Sequence, residues 1–403
     1  MKLNRRAFLA STAAGLAAAS RPATLSAADD PLGVRKDFPA AAKCTYLNSP
    51  YITPSPRSVE EASALFVGAK TADPITLGSM LEKTNEARGL FASLFGAKTE
   101  EVAFLFATSE GENIVAAALD WKAGDNVVID DLHYETTYVL YKTLEKTKGI
   151  EVRVVRSVDG RADPEHFEPL VDDRTRIVSV SWVSHQNGFR HDLKGLAELA
   201  HAHGAYLYAD GIQALGMVQT NLRDEGVDFV ASGTYKWLLA AFGVAPFFIR
   251  EEHLERIPVD RLGGLSIRET LPGYEFHLHQ TARKYEYATL AFGPVYQLAA
   301  GLKYLTNVGL ENIEAHTVGL ASYLRAGLID QGFKVRTPKD NASAIVAFHH
   351  GRDPKTAQSL FEKENIKVSF RENGTQIRAG AALFNTKADI DHLLTTTKKL
   401  APA

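Results

Sequence analysis

Apolar residues recur along the middle of this chain in short, nearly continuous runs, at 102–106, 126–129, 151–155, 176–182, 205–209, 228–232 and 244–249. Amphipathic stretches with a helical period lie among them, at 112–119, 134–148 and 193–203. A strand that is apolar on both faces is covered on both faces. Runs of this kind spaced by helix-length segments predict a mostly parallel seven-stranded sheet with helices on either side, an α/β fold. From about Gly293 the pattern changes. Long helical periods at 294–308 and 310–327 lead into short apolar runs at 343–348, 366–370 and 375–379, with helices at 354–364 and 387–400. This reads as a smaller α+β domain at 293–403. The large domain is then 57–292, and the proline-bearing segment 29–56 wraps back onto the small one.

The first 28 residues read differently. Arg5 and Arg6 precede an apolar run at 8–20, and Ser26-Ala27-Ala28 offers small residues for cleavage. Thirteen residues are too few to span a bilayer. The string Asn4-Arg-Arg-Ala-Phe-Leu resembles a twin-arginine export signal, so the expectation is an exported, periplasmic protein cut near Ala28, with no membrane anchor afterwards. Loss of this segment takes four positive charges from a net −3, which leaves −7. A net charge of this sign gives no basic footprint to attract nucleic acid. Cys44 is the only cysteine, which excludes an internal disulfide, and no Cys/His spacing predicts a metal site.

In a sheet of this type ligands gather beyond the carboxyl ends of the strands, and the chemistry-bearing residues cluster there. Asp210 ends the run Tyr206-Leu-Tyr-Ala-Asp210 and is followed by Gly-Ile-Gln213. Lys236 lies 26 positions later, in Ser232-Gly-Thr-Tyr235-Lys236-Trp-Leu-Leu, an apolar setting unlike that of a surface lysine. A lysine and an acid so spaced suit pyridoxal phosphate (PLP): the lysine meets the aldehyde and the carboxylate keeps the ring nitrogen protonated. Thr108 and Ser109 sit between a strand and a helix start, where backbone N–H groups suit a phosphate; simple N-capping is the alternative. His133 follows the next strand and offers a flat ring to stack, or a structural hydrogen bond. Arg378, inside the small-residue run Gln376-Ile-Arg-Ala-Gly, is placed to clamp a carboxylate, with Arg371 as a second candidate; structural salt bridges are the alternative for both.

Together these motifs resemble the class V aminotransferase family of fold-type I PLP enzymes, over nearly the whole chain after the leader. Tyr46-Leu-Asn48-Ser-Pro, Thr108-Ser-Glu-Gly-Glu-Asn113, Asp210-Gly-Ile-Gln213, Tyr235-Lys236-Trp-Leu and Arg378-Ala-Gly-Ala-Ala-Leu-Phe-Asn-Thr each look like a family motif. The resemblance implies that Lys236 joins the cofactor and later moves protons at the substrate's Cα. It also implies that Asp210 pairs the ring nitrogen, Gln213 contacts the phenolic oxygen side and His133 stacks on the ring. Ser109, with Ser232 or Tyr235, would hold the phosphate. Arg378 would bind the carboxylate of a small amino acid, with Asn48 and Arg371 beside it. It further implies a homodimer, with Thr289 where a partner's phosphate-binding residue usually lies. Three departures stand out. His185 replaces the family's Asn near the phenolic oxygen, Ala240-Ala241 replaces Gly-Pro, and the stretch 368–374, where some cysteine desulfurases carry a persulfide cysteine, has none. These features favour an aminotransferase or an isopenicillin N epimerase-like enzyme, with a cysteine-free β-lyase as the alternative. A binding protein that keeps the fold without catalysis is the remaining possibility, and the joint presence of Lys236, Asp210, Gln213 and Arg378 argues against it.

Overall fold

The computed structural model describes residues 30–73 and 75–400, so the arginine-pair leader lies outside the described residues. The expected sheet is present. Its strands are β1 (Val102–Leu105), β2 (Asn126–Asp130), β3 (Glu151–Val155), β4 (Thr175–Ser181), β5 (Tyr206–Asp210), β6 (Phe229–Ala231) and β7 (Ala245–Ile249). They lie side by side in the order β1-β7-β6-β5-β4-β2-β3. Only β7 runs against its two neighbours; every other pairing is parallel.

The unbroken apolar runs are explained by a core on each face. Phe104, Val128, Val180, Leu207, Val230 and Phe248 point into one. Their chain neighbours Ala103, Leu105, Val127, Ile129, Tyr208 and Phe247 point into the other. With side chains alternating across a strand, a sheet covered twice needs apolar residues at both parities. On one side lie α1 (Arg57–Ala72) and α2 (Leu77–Phe95), two helices beyond those expected, and α3 is the helix Thr108–Ala118. This last helix begins four residues before its predicted start at 112, and that places Thr108 and Ser109 in its first turn. Gly111 lets it lie close on the sheet: a Cβ there would sit 2.8 Å from the Ala231 methyl and 2.9 Å from the Phe247 ring.

Two more helices flank the sheet, α4 (Glu135–Lys148) and α5 (Leu193–Ala202), and two long ones follow, α6 (Phe292–Val308) and α7 (Leu310–Asp330). The C-terminal portion holds a second sheet of β8 (Lys334–Val335), β9 (Ile345–His349), β10 (Ser369–Arg371) and β11 (Gln376–Gly380), in the order β8-β9-β11-β10. The apolar run read at 366–370 is two pieces with separate partners. Ile366–Lys367 pairs with Thr45–Tyr46 of the N-terminal segment, and Ser369–Arg371 pairs with β11. The N-terminal segment is also tied to the last helix, α9 (Lys387–Thr397), through Arg35 and Asp389 at 2.6 Å. Between the second sheet's β9 and β10 lies α8 (Pro354–Lys363).

Candidate active site

Strands β4, β5 and β6 end together, and their last residues are in register: Ser181 opposite Asp210, and Asp210 opposite Ala231. Beyond these ends the chain encloses a cavity of about 350 Å³. Asp210, Gln213, Lys236, His185, Thr108 and Ser109, all singled out from the sequence, line it, and so does Tyr235. The turn after β5 is fixed by Asp210 itself, whose Oδ1 accepts from the Ile212 amide at 2.9 Å. That leaves its other oxygen free to face the cavity. Gln213 is buried; it accepts from Trp237 Nε1 at 2.9 Å and donates to the Pro50 carbonyl at 2.8 Å.

The lysine loop is held rigidly. Leu239 is fully buried with φ at +64°, a conformation that costs a branched residue of order 1–3 kcal/mol. Two backbone bonds impose it, Leu239 N–H to the Lys236 carbonyl and Ala240 N–H to the Thr234 carbonyl. Beneath the loop Gly216 approaches so closely that a Cβ would stand 2.3 Å from the Trp237 carbonyl oxygen. Lys236 thus reaches the cavity from a fixed backbone. Desolvation pushes its ammonium down to about 7, against the pull of Asp210 and with help from Arg378 and Arg371. Desolvation also raises the Asp210 carboxyl to about 6, opposed by the Ile212 amide and by Lys236. At neutral pH Lys236 is then near the midpoint of its titration, the condition for exchanging protons, while Asp210 is mainly the carboxylate.

At the other end of the cavity α3 presents its N-terminus. Thr108 Oγ1 accepts from the Gly233 amide at 2.8 Å, and Ser109 and Thr136 meet through their hydroxyls at 3.4 Å. Unpaired amides, the positive helix end and three hydroxyls make a cradle for a phosphate. Phe106 and Phe242 form an exposed aromatic lip, with Phe242 stacked on Tyr235 at 4.1 Å.

Two residues fall elsewhere than expected. His133 does not line the cavity: it is 1% exposed, packed behind the wall against Ser179, Ser181 and Thr137. Its neighbour Tyr134 presents the ring instead, edge-on to His185 at 5.1 Å. The cause is the turn after β2, where Asp130 Oδ1 accepts the Leu132 amide and rotates residue 133 inward and 134 outward. Ser232 is fully buried and points away, its hydroxyl on the Gly233 carbonyl, and Gly233 takes its place in the wall. Thr289 is exposed in an adjoining hollow of about 330 Å³ that shares Phe106, Gly243 and Val244 with the cavity.

The remaining candidates belong to the second sheet. Arg378 is buried at the centre of that sheet, donating to the His185 carbonyl at 2.7 Å and to Ser369 Oγ at 3.2 Å. Burial, aided by Arg371, lowers it to about 10. Asn48 accepts from Ser369 Oγ at 2.5 Å. Arg371 stands 3.5 Å from Glu135 and lines a third hollow, which shares His185 with the main cavity. Burial lowers the His185 ring, against the carboxylate of Glu135 at 3.7 Å. Both His185 ring nitrogens and Arg378 Nε are buried without a hydrogen-bond partner. Unsatisfied buried polar atoms, those of His185 in the cavity wall, fit a polar ligand that completes them. Thr136, Ser181, Gly233 and Tyr134 were not singled out from the sequence. Ser181 was legible in principle, as a hydroxyl at the carboxyl end of an expected strand.

This arrangement agrees with what the chain is similar to. Residues 46–393 match the family model described as aminotransferase class-V. A probable cysteine desulfurase of Methanothermobacter thermautotrophicus is 27% identical over 91% of this chain and 97% of its own length. An uncharacterized aminotransferase of Bacillus subtilis is 28% identical over 78% of this chain and 83% of its own. Among solved structures, the apo cysteine desulfurase of Thermococcus onnurineus superimposes with a TM-score of 0.84 at 23% identity, covering 94% of this chain and 99% of that one. The chain belongs to the class-V aminotransferase family and is a pyridoxal-phosphate-dependent enzyme.

Proposed function

We propose that the cavity at the ends of β4–β6 holds PLP and that the enzyme acts at Cα of a small α-amino acid, as an aminotransferase or as an epimerase of the isopenicillin N epimerase type. One observation carries the reading: the Lys236 amine and the Asp210 carboxyl converge on one cavity, and burial moves both toward neutral pH. When bound, PLP supplies an electron sink for the pair left as a bond to Cα breaks.

The chain's own residues do the rest. Lys236, half of it neutral near pH 7, takes the proton from Cα and returns it. Asp210, held by the Ile212 amide, would pair the ring nitrogen through its carboxylate. The first turn of α3 with Thr108, Ser109 and Thr136 would hold the phosphate, and Tyr134 and His185 would wall the ring. Arg378 gives up its internal acceptors to take the substrate carboxylate. We also propose that the protein works as a dimer in which a second copy supplies Thr289 to the shared site, and that residues 1–28 direct its export. Sedimentation of the purified protein tests the first, and mass measurement of the mature N-terminus the second; a monomer, or an intact Met1, contradicts them.

The names of the relatives favour a second reading, a β-lyase of the desulfurase type. A persulfide relay has no thiol to use here. Cys44 lies in the N-terminal segment, its Sγ directed at the Ala40 carbonyl, and burial raises its pKa. Half-reactions decide between the readings. The holoenzyme is mixed with L- and D-amino acids while the cofactor spectrum and products are followed. Pyridoxamine with a keto acid marks transamination, and deuterium at Cα with inversion marks epimerisation. Pyruvate with a sulfur or selenium leaving group marks the lyase. No change with any amino acid contradicts the whole proposal.

A further inference from the structure

Behind the cavity wall lies a buried carboxyl that the proposed chemistry does not use. Glu112 points inward from α3 and is 5% exposed. Two hydroxyls donate to it, Ser179 Oγ at 2.6 Å to Oε1 and Thr137 Oγ1 at 2.8 Å to Oε2. The same hydroxyl oxygens stand 3.1 Å and 3.4 Å from His133 Nε2. On its other side His133 Nδ1 receives the Tyr134 amide at 2.7 Å and lies 3.3 Å from Ser181 Oγ. Tyr134 and Ser181 both line the cavity.

Donor and acceptor counting gives this chain of bonds a direction. An amide N–H can only donate, so Nδ1 is bare. Desolvation holds the His133 ring down at about 4, so it is neutral at pH 7 and carries its one proton on Nε2. Nε2–H then donates to Ser179 and Thr137, whose own protons go to Glu112. Across its longer contact with a bare Nδ1 the Ser181 hydroxyl can only donate, sharing that one lone pair with the Tyr134 amide. The hydroxyl's own lone pairs are left toward the cavity, opposite Asp210 in the next strand.

We propose that Glu112 is a positioning residue: by taking the protons of Ser179 and Thr137 it keeps His133 in the Nε2–H form, so that Ser181 and Asp210 offer a cavity floor of acceptors only. Such a floor selects an N–H-bearing cationic heterocycle over a neutral one. This rests on the reading that the PLP ring nitrogen lies at Asp210. Without an acceptor at 112, Ser179 and Thr137 compete for Nε2, the ring tautomer shifts to Nδ1–H, and the Tyr134 amide loses its partner.

The groups around the chain are identifiable. Burial, with Asp210 adding to it, raises the Glu112 carboxyl to about 7, against the hydroxyls of Ser179, Thr137 and Tyr141; Tyr208 is the other titratable group that faces it. Asp130, His191 and His185 act on His133. Ionisation of Glu112 should therefore register at His133 as a step near pH 7 without charging the imidazole.

The test is ¹⁵N NMR of ring-labelled histidine in the PLP-free protein, with pH titration, alongside the absorbance of the PLP-bound form. For the wild type we expect an Nε2–H ring whose signals step near pH 7. Glu112→Gln, which still accepts one hydroxyl, should keep the tautomer and lose the step. Glu112→Ala and the double variant Ser179→Ala/Thr137→Val, which leaves Nε2 no acceptor, should populate Nδ1–H, and the PLP absorbance maximum should shift. If Glu112→Ala does not fold, the double variant and Glu112→Gln carry the test. An Nδ1–H wild type, or a step that survives in Glu112→Gln, overturns the proposal. A wild type that binds no PLP contradicts the cofactor reading instead, and the NMR result still decides the role of Glu112.

Discussion

The floor of the cavity and its rim are built on opposite plans. Apart from Ser181, the floor comes from one stretch of chain, 210–239, clamped by backbone bonds, a left-handed Leu239 and the close approach of Gly216. Its ionisable groups are buried without a full set of partners, and their titration is displaced. The rim is assembled from distant segments, and its cations are already engaged, Arg378 with the His185 carbonyl and Arg371 with Glu135. Floor residues are thus set for one chemistry before any ligand arrives. Rim residues must exchange internal partners for a substrate, so they govern affinity and selection.

This contrast can be broken by substitution. Asp210→Asn should lower kcat by about 100-fold or more, the usual scale for a proton-managing group, with little change in KM; an equal rise in KM would place Asp210 in substrate binding. Arg378→Leu should do the reverse. Losing charge-assisted hydrogen bonds at about 1.5–3 kcal/mol each raises KM for the amino acid by roughly 10–150-fold, with kcat held within a few-fold. An unchanged KM would make Arg378 structural.

The pH profile sharpens the comparison further. Lys236 titrates at about 7 in the free protein, and only its neutral amine attacks an aldehyde. The rate at which PLP combines with the cofactor-free protein should rise about tenfold per pH unit below 7 and level off above it. A rise continuing toward pH 10 would show a solvated lysine. The smallest effect belongs to the thiol. Cys44→Ser should leave turnover of every substrate unchanged, and any loss of sulfur release would restore a persulfide route.

The floor was legible in the sequence because it is local. Asp210, Gln213 and Lys236 fall in two adjoining motifs, and strand ends fix where such residues point. The walls were less so. His133 and Tyr134 are neighbours, and which of them faces the cavity depends on an Asp130-capped turn whose angle no motif encodes. Ser232 and Gly233 exchanged places for the same reason, one residue of phase at a strand end. The early start of α3 followed from tight packing on the sheet at Gly111, where helix propensity alone gives no signal. Glu112 carried no signal in the sequence; its burial depends on hydroxyls from β4 and α4, far away in sequence.

The central claim is that Lys236 is the residue that meets the cofactor. Borohydride reduction of the PLP-loaded protein, followed by peptide mass spectrometry, tests it directly. The account predicts a pyridoxyl group on Lys236 alone, and loss of both the label and the visible absorbance in Lys236→Ala. A label on another lysine, or a wild type that takes up no PLP, would contradict it.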